Sequence, residues 1–354
     1  MPVNLTEVAR HAGVSLATAS RVLNGSARSP APDISERVRA SAEELGYVAN
    51  AQAQALARST TGLVGLVVHD IADPYFSAIA HGVQEMALQS RRQVLLAGTD
   101  LGGEDGTPRS AELAAVKAFI SYRTDAIILA TSRFLEEDPL LAKSLERYIK
   151  NGGRVVTLGT TSIPEARVVT IGNFDGAREL AAALLARGLT RFAILSGPHE
   201  RNTARSRVAG FISALAASSL EPLAVVPGPF TSRGGFDATI ECLDTLKTTP
   251  GQDEDGSPLC ILAANDVMAL GAMTAIRSRG LRIPDDVQVA GFDDIPTLRD
   301  HSPGLSTYRL PLEEIGRLAA GLALDPDAQP LATVTGTVML RESAGQPTFV
   351  ADGA

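Results

Sequence analysis

The chain of 354 residues has no tryptophan, two cysteines, five histidines and 4% aromatic residues. Each scarcity closes off a class of function. Cys242 and Cys260 stand far apart without a CxxC pairing, which gives neither a disulfide framework nor a zinc site and suits a reducing cytoplasm. His11, His69, His81, His199 and His301 fall without ligand spacing, and no GxSxG, HExxH or GxxxxGK[ST] string occurs. No metal, cofactor or enzymatic activity is therefore expected. Long apolar runs are missing too: nothing approaches the roughly 18 uninterrupted apolar residues of a membrane helix. The opening MPVNLTEVARHAG carries charge early and has no apolar run before a small-residue cleavage site, so the expectation is a cytoplasmic chain, neither exported nor membrane-bound.

What is present is apolar substance, 45% of the residues, enough for two or three domains with real cores. The net charge of -8 is divided unevenly. Residues 1–60 hold six Arg and five acids, a balance of +1, and the remainder carries -9. A basic footprint that weak cannot by itself argue for nucleic acid, so any such claim must rest on a motif.

The first 46 residues supply one. In NLTEVARHAGV, Asn4 can cap a helix with Glu7 reaching back, and Leu5, Val8, Ala9 and Ala12 recur at helical spacing. Gly13 sits where the chain must turn with positive φ, and Ser15 can cap a second helix whose inward face is Ala19, Val22 and Leu23. After a Ser/Pro/Ala loop, Asp33 and Glu36 form a further capping pair ahead of a third helix that closes at Gly46. Three short helices around one small core fit a helix-turn-helix module.

The string LTEVARHAGVSLATASRVLNG resembles the N-terminal motif of the lac/gal repressor family, and the similarity runs on through ELGYVANAQAQALA and over essentially the full length. That resemblance implies a sequence-specific transcription regulator, a repressor, whose second helix enters the major groove of double-stranded DNA. Leu16, Ala17 and Arg21 would then read base edges. Arg21 can pair with guanine O6 and N7, whereas Leu16 and Ala17 can offer only apolar contact, as to a thymine methyl. Thr6, Ser15, Thr18, Ser20 and Asn24 would hold phosphates. In the hinge NAQAQALARS, Asn50, Ala53 and Leu56 would meet the DNA, with Leu56 wedged into the minor groove. A palindromic operator needs two reading heads, so a homodimer is expected.

From residue 62 the texture changes. TGLVGLVV, RQVLLAG, DAIILA and GRVVTLG read as buried strands separated by helices near 76–90, 109–121 and 138–150; RFAILSG, PLAVV, PLCILAAN and VQVAGF repeat the pattern. Two rounds of alternation predict two lobes, each a doubly wound parallel sheet, behind the all-α head. The resemblance implies a periplasmic-binding-protein-like body in which the chain crosses between lobes three times. Those crossings are expected near Gly159–Ser162, Phe292–Ile295 and 322–325. The expected organisation is thus 1–48 head, 49–60 hinge, 61–344 effector and dimerisation domain and 345–354 tail. Lobe one would be 61–161 with 295–322, and lobe two 162–294 with 323–344, including a solvated loop at 248–258.

Ligands of such sheets bind beyond the carboxyl ends of strands, here between the lobes. Tyr75 and Phe76 follow the first strand and suit stacking on a sugar face or flat ring. Arg201, Thr203 and Arg207 follow FAILSG; Asn265 follows CILAA; Asp293 follows VQVAGF; Asp175 begins a helix and Phe230 can form an apolar wall. Family likeness implies Arg207, Asn265 and Asp293 as binders of hydroxyls or polar edges, and Arg201, Thr203 and Phe230 match pocket positions of purine-sensing members. Asp266 and Asp294 read as caps or turn residues. Relatives place an acid just before the asparagine matching Asn173, and here Gly172 stands there. A carbohydrate effector is the first reading and a purine-like one the second. A bare solute-binding protein would leave residues 1–60 without a role, and an enzyme such as a sugar kinase would need a phosphate-cradling loop.

Overall fold

The computed structural model describes residues 3–24, 30–48, 60–103, 105–131, 134–135, 138–247 and 258–345. The hinge reading at Asn50, Ala53 and Leu56 and the loop at 248–257 lie outside the described residues, as do the side chain of Asn24 and the tail from 346. The chain divides into two compact units, Met1–Leu63 with Arg123–Asp125, and Val64–Tyr122 with Ala126–Ala354.

The first unit holds three helices, α1 (Leu5–His11), α2 (Leu16–Asn24) and α3 (Pro32–Glu44). The capping box of α1 is complete: Glu7 N donates to Asn4 Oδ1 at 3.1 Å and Asn4 N to Glu7 Oε2 at 3.0 Å. Gly13 turns the chain at φ +62°, and Ser15 Oγ accepts from Thr18 N at 3.1 Å to start α2. The third cap differs from the expected Asp33/Glu36 pair. Pro32 already opens α3 behind Ala31, and no side chain caps it. Proline at the first helical position removes one orphan N–H and presets φ, so Asp33 falls two residues past the cap position Ala31 and sits in the first turn. Val8, Ala9, Ala12, Ala19, Val38 and Ala42 form the core, with Leu5, Val22, Leu23 and Tyr47 packed around it.

In the second unit the first round of alternation gives β1 (Leu63–Val68), α4 (Pro74–Gln89), β2 (Gln93–Gly98), α5 (Pro108–Ser121), β3 (Ala126–Leu129), α6 (Pro139–Lys150), β4 (Arg154–Leu158) and β5 (Arg167–Ile171). Asp73, Thr107 and Asp138 each cap a helix that begins with proline, a cap that fixes where the strand-to-helix turn ends. The second round gives α7 (Asn173–Leu185), β6 (Phe192–Leu195), α8 (Asn202–Ala217), β7 (Ala224–Val226), α9 (Ser232–Leu246), β8 (Leu259–Ala263), α10 (Asp266–Ser278) and β9 (Val287–Ala290). After a short 3-10 turn at Pro296–Asp300 come β10 (Thr307–Arg309), α11 (Leu312–Leu324), β11 (Leu331–Val334) and β12 (Thr337–Met339).

Lobe one is a six-stranded sheet in the order β11-β5-β4-β3-β1-β2, and lobe two a four-stranded sheet ordered β7-β6-β8-β9. The registered pairs of both are parallel. Alternate residues of the lobe-one strands enter two separate cores: Leu66, Val68, Ile128 and Val156 join one, Val67, Ile127, Leu129 and Val155 the other. A parallel sheet covered on both faces requires this, and it explains why the inner strands read as continuous apolar runs. The expected buried strands RQVLLAG and PLAVV differ: β2 and β7 stand at the sheet edges, where one flank lacks a neighbouring strand, and Leu96 and Val225 are exposed.

Two expected crossings shift. Gly159 does turn, at φ +87°, but its N–H donates to Val169 O at 2.9 Å and the chain returns as β5 beside β4. Residues 162–171 therefore belong to lobe one. So do Leu331–Val334, because β11 pairs with β5. The cause lies far away in sequence. Arg167 donates to the carbonyls of Leu322, Asp325 and Pro326, and Arg154 Nε to Ala323 O at 2.5 Å. The carboxyl end of α11 is thereby capped by two strand arginines, which holds residues 322–325 on the first sheet. The actual crossings are Gly172, the segment from Gly291 to Leu310, and the link from β11 to β12. They lie side by side: β10 pairs antiparallel with β12, Gly172 N donates to Val334 O at 3.0 Å, and Gly291 N to Ser306 O at 2.8 Å.

Candidate functional site

Strand ends from both lobes surround a cavity of about 340 Å³. From lobe one come His69, Asp70, Asp73, Tyr75, Phe76, Asp100 and Thr131; from lobe two come Asn173, Glu200, Arg201, Thr203, Arg207, Phe230, Thr231, Asn265 and Asp293. Eight of the nine residues expected in the cleft therefore meet there. Asp175 does not. Asn173, the first residue of α7, lines the cavity, and Asp175, two residues on, is turned about 200° round the helix. Its carboxylate is 64% exposed and pairs with Arg178 at 3.1 Å.

The most buried charged groups lining the cavity are the pair Arg207–Asp293, with side chains 2% and 4% exposed. Arg207 Nη2 donates to Asp293 Oδ1 at 2.7 Å, Nη1 to Ala264 O at 2.7 Å and Nε to Asn173 Oδ1 at 2.8 Å. Its guanidinium also lies 4.0 Å from the centre of the Phe292 ring. Burial pushes the Asp293 carboxyl up to about 7 against the opposing pull of Arg207. The backbone at Asp293 has φ +115°, a region that side chains avoid. Hydrogen bonds to β10 on both sides hold it there, Asp293 N to Tyr308 O at 2.9 Å and Leu310 N to Asp293 O at 3.1 Å. The residue that faces the cavity is thus also built into an interlobe crossing.

Asn265 combines two duties. Its Oδ1 caps α10 by accepting from Met268 N at 2.9 Å, which leaves the amide NH2 for the cavity. Asp266 and Asp294 are structural, as expected. Asp266 is fully buried and accepts from Thr307 Oγ1 at 2.7 Å and Ile295 N at 3.0 Å. Asp294 is clamped by Arg309 at 2.6 Å and Arg341 at 2.7 Å. Tyr75 and Phe76 stand edge to face at 4.9 Å, and burial raises the Tyr75 hydroxyl above its ordinary value. Phe230 lies over Gly197, where a Cβ would come within 2.3 Å of the ring. Arg201 rests on Phe134, 3.6 Å from the ring centre, with Arg109 on the same ring at 4.1 Å.

Sequence reasoning missed His69, Asp70, Asp73 and Asp100. The rule that found the lobe-two residues would have found these also, since His69 and Asp70 follow β1 and Asp100 follows β2. His69 Nδ1 lies 3.1 Å from Thr99 Oγ1, and burial followed by the charge of Arg201 lowers its pKa. Asp73 caps α4 through Tyr75 N at 2.9 Å, and burial pushes its carboxyl up to about 6.

The head presents a second surface. Thr6, Ser15, Leu16, Ala17 and Arg21 are exposed, Leu16 by 50%, while Thr18 and Ser20 are half-buried. An exposed leucine on a short helix otherwise rich in small and polar residues is available to a partner. Ser15 and Thr18 also share a hydroxyl contact at 2.9 Å.

Residues 4–50 match the family described as bacterial regulatory proteins, lacI family, and residues 181–343 match the periplasmic binding protein-like domain. The HTH-type transcriptional regulator GalS of Salmonella typhimurium strain LT2 is 32% identical over 332 residues, 93% of this chain and 91% of its own. Among solved structures, the lac repressor dimer bound to operator and the anti-inducer ONPF superposes with a TM-score of 0.81 at 27% identity, over 98% of this chain and all of that one. The transcriptional regulator CelR in complex with cellobiose does so at 0.67 and 29%, over 96% and 99%. No helix among the described residues is long and apolar enough to cross a membrane. An exposed second helix on a three-helix head, a two-lobed body with a polar cleft and these full-length likenesses lead to one statement: the chain belongs to the lacI family of bacterial regulatory proteins.

Proposed function

We propose that the chain is a cytoplasmic repressor that binds a palindromic operator as a homodimer and releases or tightens its grip when a small molecule occupies the cleft. The observation that carries this reading is the Arg207–Asp293 pair. It faces the cavity, and through Asp293 it is part of the backbone crossing that joins the lobes. Occupancy there bears on the relative position of the lobes, and a ligand with different affinity for two lobe arrangements shifts their populations. Its work is binding, with no turnover. The effector is a carbohydrate: hydroxyls both give and take hydrogen bonds, which suits a cavity holding the Asn265 amide, Thr203, Thr231 and several carboxylates beside aromatic walls.

Arg21, Leu16 and Ala17 read bases in this scheme, and Thr6, Ser15, Thr18, Ser20 and Asn24 hold phosphates. A mobility-shift titration with a palindrome from the gene's own upstream region tests it. Wild type shifts the probe at low salt, and Arg21→Ala loses about 1 to 3 kcal/mol and relaxes choice at one base position. No shift by wild type at low salt would sink the reading.

A further inference from the structure

The two arginines of the cleft point, at first sight, to an anionic effector, but their partners reverse that impression. Arg207 spends Nε on Asn173, Nη1 on Ala264 O and Nη2 on Asp293, so its charge is matched inside the protein. Arg201 is 8% exposed and lies flat against Phe134. Neither is poised as the open fork that recognises a phosphate or carboxylate.

The remaining charges of the wall are acidic. Asp70, Asp73, Asp100 and Glu200 line the same cavity. Asp70 and Asp73 each commit one oxygen to a backbone amide, Ala72 N at 2.7 Å and Tyr75 N at 2.9 Å, which leaves the other oxygen of each as an acceptor. Asp100 lines the cavity while exposed to solvent, and has no ion pair among the described residues. His69, between them in the fold, is held toward its neutral form. The cleft therefore has a surplus of acceptors and a net negative field. It rewards a ligand that brings many hydrogen-bond donors and penalises one that brings another negative charge.

We infer that the effector is an uncharged or amine-bearing polyhydroxylated molecule, that phosphorylated and carboxylated sugars are rejected, and that Asp100 is a residue that enforces the rejection. This rests on the effector reading above and narrows it. Asp73 supports it independently: burial already holds its carboxyl near 6, so a further anion beside it raises a cost the fold is already bearing.

The experiment uses the full-length protein at pH 7.5 and thermal melts with matched sets: neutral mono- and disaccharides, alditols and amino sugars, each set against its phosphates and uronates. A ligand that binds only the folded state raises the midpoint. The expected result is that a neutral or amino member raises it and that its phosphate and uronate bind at least ten-fold more weakly. In Asp100→Asn the neutral hit should weaken about ten-fold and the gap to its anionic counterpart should narrow. A phosphate or uronate that stabilises as well as its neutral parent overturns the inference, as does a discrimination unchanged in Asp100→Asn. The operator shift of the same preparation separates the two levels. Operator bound with an anionic hit leaves the regulator reading standing and removes this one, whereas operator bound with no response from any member removes the effector itself, and the inference with it.

Discussion

Asp73 shows how one residue can serve the site at the expense of the fold. Its carboxyl titrates at about 6 in the folded protein against 3.8 for the ordinary group, because burial penalises the charge more than the Tyr75 amide favours it. The folded state therefore takes up a proton before the unfolded chain does. Above about pH 6 both states are ionised and the folded state carries the full penalty; as pH falls from 6 toward 4 that penalty disappears. Asp73→Asn keeps an acceptor for the helix cap and removes the buried charge. The variant should be more stable than wild type at pH 7.5 by about 1 to 3 kcal/mol, at 1.36 kcal/mol per unit of pKa discounted for partial exposure. The gain should shrink toward zero at pH 4.5. Denaturant melts at the two pH values check the sign: equal gains at both would show that the carboxylate is not the cause.

At the scale of elements, the body is assembled from helix pairs that touch through glycine. A Cβ on Gly82 of α4 would stand 2.0 Å from Glu313 O, and one on Gly316 of α11 2.1 Å from Ile79 O. The α9–α10 pair repeats the arrangement, with Gly235 against Met268 O at 2.1 Å and Gly271 against Ser232 O at 1.9 Å. These contacts are with backbone, which cannot step aside as a flexible side chain can. Two effects compete in a glycine-to-alanine change. Helix propensity gains about 1 kcal/mol, and overpacking costs about 1 to 3 kcal/mol or more. Gly271→Ala should therefore lose stability. Gly321 of α11 has nothing within 4 Å of its would-be Cβ and no positive φ, so Gly321→Ala should gain about 0.5 to 1 kcal/mol. Urea titrations of the two variants decide whether packing or propensity governs. Opposite signs are expected.

For the whole molecule the question is how a cleft in the body governs a head that carries little charge. Residues 1–60 have a balance of only +1, and the rest of the chain is acidic, so bulk attraction to phosphate is weak and geometry must do the discriminating. In the proposed mechanism Leu56 wedges into the minor groove at the centre of the operator, at a cost of a few kcal/mol of unstacking. That cost is met only when two heads are held at the right spacing. Leu56→Ala or Ala55→Gly should weaken operator binding strongly and leave thermal stabilisation by the effector unchanged. Operator affinity equal to wild type in both variants would remove the hinge from the mechanism.

Local features were legible along the chain. Asn4 with Glu7 and Gly13 with Ser15 fixed where the first two helices begin, since a cap acts within three residues. The apolar runs from TGLVGLVV to VQVAGF marked the strands, and those inside the sheets are buried on both faces, whereas the edge strands β2 and β7 are not. Applying the strand-end rule placed Arg207, Asn265 and Asp293 in the cleft, because the carboxyl end of a parallel strand is a topological address readable in one dimension. Features that depend on residues distant in the chain emerged with folding alone. RVVTI and LATV joined the first sheet because Arg154 and Arg167 hold the end of a helix more than 150 residues away. Asp175 left the cleft because helical rotation, set by Asn173 facing inward, turned it out. That Arg207 is spent on Asp293, Asn173 and Ala264, and that Arg201 lies against Phe134, depends on partners that stand far off in the chain. Burial and pairing set the electrostatics of the cleft, and both arise from contacts that no local pattern encodes.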